Sequence, residues 1–332
     1  MESVTEREGA VAEAPDARPA GAPRTSTARA LLVAMRPPEW IKNLLVYAGL
    51  LFSQQFDDPG RVLDATLAFV AFCAISSAGY LINDLRDVAF DRRHPEKRHR
   101  PIANGTLSER TAVVSAVALV LFAVAMPLLA VSAEVAGFVA GYGAITIAYS
   151  LILKRLVILD VMTISSLFIL RVVAGAVAVD AHASEWLLVC TGMLALFLGF
   201  TKRRQEAMEE IESTPAASSA TRPGAAGSAA GSSVTRPVLE HYSLPFLDQM
   251  VSMVTAAAII SYAVYAVDSP RIGSEMLATA PSVLYGIFRY LYLIYDRRDT
   301  RSTAAILTRD PGMIFAGVTW VGTALLMLYV FN

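Results

Sequence analysis

The sequence predicts an all-α, polytopic membrane protein, and three observations carry that expectation. Of the 332 residues 55% are hydrophobic and 17% charged, and the mean hydropathy is +0.50. Apolar runs recur at roughly 43 to 56, 62 to 83, 110 to 130, 133 to 153, 156 to 178, 185 to 201, 246 to 267, 276 to 295 and 311 to 331. A helix of about twenty such residues crosses a bilayer, and a chain in lipid must satisfy its own backbone groups. The runs therefore read as nine transmembrane helices, the first marginal in length. Finally, nearly all loop Lys and Arg fall in alternate connections: 84 to 110, Lys154 with Arg155, Lys202 to Arg236, and Arg289 to Arg309. By the positive-inside rule these face the cytoplasm, which puts the N-terminus inside and Asn332 outside, as in a multi-pass plasma-membrane protein.

Residues 1 to 28 are rich in Ala, Pro, Thr, Arg and Glu without apolar periodicity, and predict a disordered cytoplasmic tail rather than a signal peptide. From Ala30 a short amphipathic approach ends at Arg36 and is broken by Pro37 and Pro38. Trp40 and Lys42 then suit a membrane interface, as an aromatic anchor and a snorkelling cation; alternatively Arg36, Lys42 and Asn43 belong to an anion site. Residues 29 to 332 form one domain, in which 213 to 236, rich in Ser, Ala, Gly and Pro, is a flexible cytoplasmic insert. Cys73 and Cys190 lie in apolar runs without ligand spacing, and read as small buried hydrophobes. A formal net charge of −1 gives no support for nucleic acid as a partner.

The chemistry concentrates in residues 80 to 105, directly after the second apolar run. If that helix continues past Tyr80, Asn83, Asp84, Asp87 and Asp91 fall within about a 100° arc. Clustered hard oxygen ligands suit Mg²⁺, which takes one or two carboxylates and fills its other positions with water and substrate phosphate oxygens. The basic run that follows, Arg92, Arg93, Lys97, Arg98 and Arg100, either orients the protein in the bilayer or holds phosphate. Together the two runs imply a magnesium-bridged diphosphate. Arg171 lies near the middle of its apolar run, where a bare charge costs at least about 2.5 kcal/mol. Either Asp160 neutralises it or it faces the phosphate of a lipid, with Tyr149, Lys154 and Asp160 edging the same pocket.

These residues resemble the UbiA superfamily of intramembrane prenyltransferases, whose first acidic motif, Asn-Asp-x-x-Asp-x-x-x-Asp, stands here as Asn83, Asp84, Asp87 and Asp91. Within it, the chain is similar to the branch that attaches phosphoribose to decaprenyl phosphate. That similarity rests on Arg36-Pro-x-x-Trp40-x-Lys42-Asn43, Tyr80 to Gly105, Leu170-Arg171 with Ala174-Gly175, Lys202-Arg203 and, more weakly, Arg309-Asp310. The resemblance implies a helical bundle with a polar pocket facing the cytoplasm, and catalysis through Asp84, Asp87 and Asp91. Mg²⁺ would be held by Asn83, Asp87 and Asp91, with Asp84 as a further ligand or a support. Prenyl-transferring members carry a second acidic motif after the sixth helix, whereas this chain reads Thr201-Lys202-Arg203-Arg204-Gln205-Glu206. Those cations are either a positive-inside flank or a seat for a bare phosphate, which 5-phosphoribosyl 1-diphosphate would bring. The expected assignment gives diphosphate oxygens to Arg36, Lys42 and Arg98, flanked by Lys97 and Arg100, and the 5-phosphate to Lys202 and Arg203, with a polyprenyl phosphate as acceptor. Prenyl transfer to an aromatic or other acceptor, and transport of a phosphorylated metabolite, are the competing readings; homo-oligomerisation is left open.

Overall fold

A computed structural model describes residues 26–53, 55–95, 97–213, 239–268 and 273–330. Among them there is no β-strand, and the helices are α1 (Thr27–Ala34), α2 (Ala48–Ser53), α3 (Pro59–Arg86), α4 (Val88–Asp91), α5 (Glu109–Ala130), α6 (Ala133–Leu151), α7 (Leu159–Ala178), α8 (Glu185–Ser213), α9 (Leu244–Val267), α10 (Ala280–Tyr295), α11 (Thr303–Arg309) and α12 (Pro311–Val330). Most starts are written in the sequence. Asp58, Ser108, Ser132, Ser243 and Ser302 each accept a backbone N–H of the first turn of α3, α5, α6, α9 and α11, which satisfies donors that a helix cannot pair itself.

Seven helical segments among the described residues are long and apolar enough to cross a membrane: α3, α5, α6, α7, α8 to Ile211, α9, and Gly273–Tyr295, in which a 3₁₀ turn precedes α10. α11 and α12 together form an eighth candidate span, bent by 74°. There Asp310 takes a two-point ion pair from Arg289 (3.1 and 3.0 Å) and accepts the Met313 N–H at 3.0 Å, so it caps α12 and fixes the bend.

The first expected crossing is not an α-helix. Residues Pro37–Tyr47 form a 3₁₀ helix, followed only by the six-residue α2. The segment nevertheless runs antiparallel to α3 over much of its length. Arg36 meets Asp84, Trp40 Nε1 donates to Ser77 Oγ (3.1 Å), Asn43 Nδ2 to Cys73 Sγ (3.3 Å) and Tyr47 Oη to Thr66 Oγ1 (3.2 Å), while Leu50 packs on Ala65. From Asp84 to Ala65 is about 28 Å of α3 at 1.5 Å per residue. Non-helical backbone at such depth is tolerated when buried in protein, and here α7 closes the other side. Its Gly175 has no Cβ because one would stand 1.9 Å from the Val46 carbonyl oxygen. Gly175→Ala is therefore expected to cost more than the about 1–3 kcal/mol of ordinary overpacking, read as a fall in the detergent unfolding temperature; an unshifted value would mean that the segment is not seated against α7.

The two largest apolar cores hold the bundle. Phe72, Val135, Val139, Tyr142, Leu167 and Ala174 join α3, α6 and α7 around Val46, and Phe197, Leu247, Ile287 and Tyr290 join α8, α9 and α10. The expected tail, 1 to 28, lies outside the described residues except for 26–28, where Thr27 already opens α1. The expected insert, 213 to 236, lies outside them except for Ser213, the last residue of α8.

Candidate active site

The acidic run does not lie on one unbroken helix. α3 ends at Arg86, Asp87 caps it with φ −94° and ψ 7°, and α4 adds a single turn. The carboxylates fall into two rows. Asn83 lines a small cleft with Arg86, Thr146 and Ser150 between α3 and α6, and Asp87 accepts a long contact from Arg86 Nε at 3.4 Å. Asp84 and Asp91, brought together across the break by a shared Arg100, face the other way and are 2% and 3% exposed.

Two guanidiniums neutralise that second row. Arg100 NH1 donates to Asp91 Oδ2 at 2.7 Å and to Asp84 Oδ1 at 3.1 Å, and Arg36 NH2 donates to the same Asp84 oxygen at 2.7 Å. Arg36 is held in the left-handed region (φ 56°, ψ 61°) with its guanidinium 4.9 Å from the Tyr80 ring centroid. A non-glycine residue there is strained by about 1–3 kcal/mol, and the Asp84 ion pair and the Tyr80 ring face offset that strain. Of the other expected anion ligands, Lys42 pairs with Glu39 at 2.5 Å, while Lys97 and Arg98 stand in a 3₁₀ turn, Lys97–His99, between α4 and α5. Among the described residues no three acidic, histidine or cysteine side chains converge as a ready-made metal nest. The donor set still fits magnesium, which takes one or two carboxylates and otherwise prefers phosphate and water.

A deeper layer lies near Cys73, eleven residues back along α3 from Asp84, or about 16 Å. Arg171, 5% exposed, donates from Nε to Asn43 Oδ1 (2.8 Å), from NH1 to the Leu167 carbonyl (3.0 Å) and from NH2 to Tyr142 Oη (2.6 Å). Of the two alternatives for Arg171, the Asp160 pair does not form, because Asp160 is already paired with Arg203. Asn43 joins Arg171 to Cys73, which ties the 3₁₀ segment to both α3 and α7. Hydrogen bonds to a charged group contribute about 1.5–3 kcal/mol each. Arg171→Met is accordingly expected to speed hydrogen exchange of the Asn43–Tyr47 amides at least about tenfold while α9 is unchanged; equal protection in both proteins would show that Arg171 does not anchor the segment.

The third group holds Arg203, expected at a phosphate, on protein partners instead. Its side chain is buried, Nε donates to Asp160 Oδ2 at 2.6 Å, NH1 pairs with Glu206, and NH2 reaches Tyr149 Oη at 3.4 Å. Tyr242 Oη donates to Asp160 Oδ1 at 2.8 Å and accepts the Ile158 N–H at 2.6 Å, and burial above all holds that phenol well above its usual pKa range. Arg203 is thus already neutralised. Arg204 is likewise committed, to Asp248 at 2.6 Å. Lys202, on the same α8, and Lys154, in the 3₁₀ turn Leu153–Arg155, are half-buried cations. Sequence reasoning missed Tyr80, Tyr142 and Tyr242; Tyr80 stood beside the acidic motif, whereas nothing in the local sequence marks the other two.

The profile of the UbiA prenyltransferase family matches residues 43–315. The chain belongs to that family. It is 31% identical over 324 residues to a decaprenyl-phosphate phosphoribosyltransferase of Mycolicibacterium smegmatis, covering 93% of this chain and 95% of the relative. It is 30% identical over 316 residues to the protein of the same name from Corynebacterium glutamicum, covering 93% and 89%. The solved structure of a UbiA homologue from Archaeoglobus fulgidus superposes with a TM-score of 0.65 at 18% identity, over 90% of this chain and 99% of that one. The fold is therefore UbiA-type, and the protein is a multi-pass membrane transferase of this family.

Proposed function

We propose that the chain transfers 5-phosphoribose from 5-phosphoribosyl 1-diphosphate to a polyprenyl phosphate and releases pyrophosphate, in the making of an arabinose-donor lipid for cell-wall polysaccharide. The observation that carries this reading is that α8 reads Thr201-Lys202-Arg203-Arg204-Gln205-Glu206 where prenyl-transferring members resemble one another in a second acidic motif, so that Lys202 stands where a metal-binding carboxylate would. Identity of about 30% over nearly the whole chain to two relatives with phosphoribosyl-transferring names supports it.

In this reading a phosphate oxygen of the acceptor attacks ribose C1, and the bond from C1 to the diphosphate breaks with its electrons leaving on pyrophosphate. Asp84 and Asp91, with Asn83 and Asp87 on the neighbouring row, are the residues that would hold Mg²⁺, which would supply charge neutralisation for the departing group. The Archaeoglobus homologue is bound to DMAPP and Mg²⁺. Arg36 and Arg100 hold the outer diphosphate oxygens from the position where charge develops, with Lys42, Lys97 and Arg98 beside them. Lys202 and Lys154 take the 5-phosphate, while Arg203 and Tyr149 fix the surface that presents it. Reacting atoms must come within about 3–3.5 Å, so Arg171, which bonds Asn43 beside Cys73, itself about 16 Å back along α3 from Asp84, positions the 3₁₀ segment rather than touching the attacking phosphate. With that segment counted as a pass, nine crossings put the site and N-terminus in the cytoplasm and the C-terminus outside the plasma membrane.

Purified protein given radiolabelled phosphoribosyl diphosphate and decaprenyl phosphate is expected to move label into the lipid phase with Mg²⁺ and not with EDTA. Absence of lipid label, with turnover of a prenyl diphosphate instead, would replace phosphoribosyl by prenyl transfer. Turnover in detergent without a sealed compartment separates either enzyme from a transporter.

A further inference from the structure

Resting on the magnesium–diphosphate reading of the site, we propose that Arg100 makes it selective for a divalent cation delivered together with a diphosphate, and closes it to the cation alone. Asp84 and Asp91 are buried to within 3% exposure, and Arg100 NH1 stands between them at 3.1 and 2.7 Å. Arg36 adds a second guanidinium 2.7 Å from Asp84. Two carboxylates and two guanidiniums sum to zero, so the row has no unspent negative charge to attract a free ion.

A lone dication entering here has to strip Arg100 from both carboxylates. It then leaves the guanidinium without an anion, beside two further positive charges, and forfeits two charge-assisted hydrogen bonds. A diphosphate reverses both terms. It carries more negative charge than one divalent cation neutralises, and its oxygens accept the planar fork of Arg100 as the carboxylates did. The guanidinium exchanges one anion for another while the metal takes its former partners.

The exchange requires little of the backbone. The Arg100 N–H donates to the Lys97 carbonyl at 3.0 Å, its own carbonyl accepts the Asn104 N–H at 2.9 Å, and the Leu107 N–H closes on Pro101 at 2.9 Å. Ile102 and Leu107 plug this loop into a core with Leu81 and Ala112. Arg100 is thereby anchored at its main chain, with its side chain 27% exposed.

The test is equilibrium dialysis of the full-length protein in detergent against Mn²⁺, with and without inorganic pyrophosphate, for wild type and for Arg100→Gln checked for an unchanged unfolding temperature. Wild type is expected to bind Mn²⁺ at least tenfold more tightly with pyrophosphate than without it, and Arg100→Gln to bind Mn²⁺ alone at least tenfold more tightly than wild type alone. Equal wild-type affinity with and without pyrophosphate overturns the proposal by itself, whatever the variant does. Equal Mn²⁺ affinity of wild type and a folded Arg100→Gln overturns it too. No Mn²⁺ bound in any arm overturns the metal reading beneath it, and that outcome is distinct from the other two.

Discussion

Asp84→Asn is expected to lower transfer by about 10²–10³-fold, the scale on which removing one charge-stabilising group acts, while the protein stays folded. Asp84 is the hinge of the ion-paired row, since both Arg36 and Arg100 donate to its Oδ1. The amide keeps the size of the side chain and removes the charge, so each guanidinium loses an anion. Arg100 retains Asp91 at 2.7 Å and Arg36 retains the Tyr80 ring face, which limits the damage to the fold. Both arginines are about a third exposed, so solvent also screens the lost attraction. The measurement is lipid-phase label per minute beside the unfolding temperature. Activity within tenfold of wild type in a folded variant would remove Asp84 from the site.

The second large effect is on stability and lies at Asp160. Asp160→Leu is expected to destabilise the protein by about 3–5 kcal/mol, because breaking a buried pair by deleting one partner strands the other charge. Arg203 would keep Glu206 but lose its contact at 2.6 Å. The same carboxylate steadies Tyr242, whose Oη accepts the N–H of Ile158. Ile158 needs that support: at φ 70° and ψ −48°, with Leu159 N–H donating to the Val157 carbonyl at 2.8 Å, it is the centre of a tight γ-turn that a β-branched residue rarely adopts. Adding Arg203→Met is expected to restore most of the loss, since an apolar pair of similar volume replaces a buried ion pair at small cost. A double variant as unstable as Asp160→Leu would mean that the turn at Ile158, and not the unpaired cation, dominates.

The parts of this molecule legible in sequence are those fixed by local chemistry. Helix starts at Asp58, Ser108, Ser132, Ser243 and Ser302 are short-range capping signals, and eight of the expected apolar runs fall on the membrane-length helices or on the bent pair. The acidic motif announced a polar site for the same reason, as does any carboxylate row beside an apolar run. What periodicity could not supply was the break at Asp87, which splits one expected arc into the Asn83–Asp87 and Asp84–Asp91 rows. Nor could it supply the partner of Arg203, which lies 43 residues away in sequence. From α8 alone, a basic run looks the same whether it binds phosphate or a buried Asp. The first crossing escaped because hydropathy registers how apolar a segment is and not how its backbone turns. The α-helix is replaced there after Pro37 and Pro38, in a slot that Gly175 leaves open by having no Cβ.

That slot orders the assembly of the protein. The wall that receives Val46 is Gly175, which leaves the ribosome more than a hundred residues after it. The segment that carries Arg36 and Asn43 is therefore among the earliest made and cannot reach its final place until α7 exists. The Asn43 link to Arg171 waits on the same event, whereas the Arg36 ion pair needs only Asp84 on α3, so the segment is fastened in two stages.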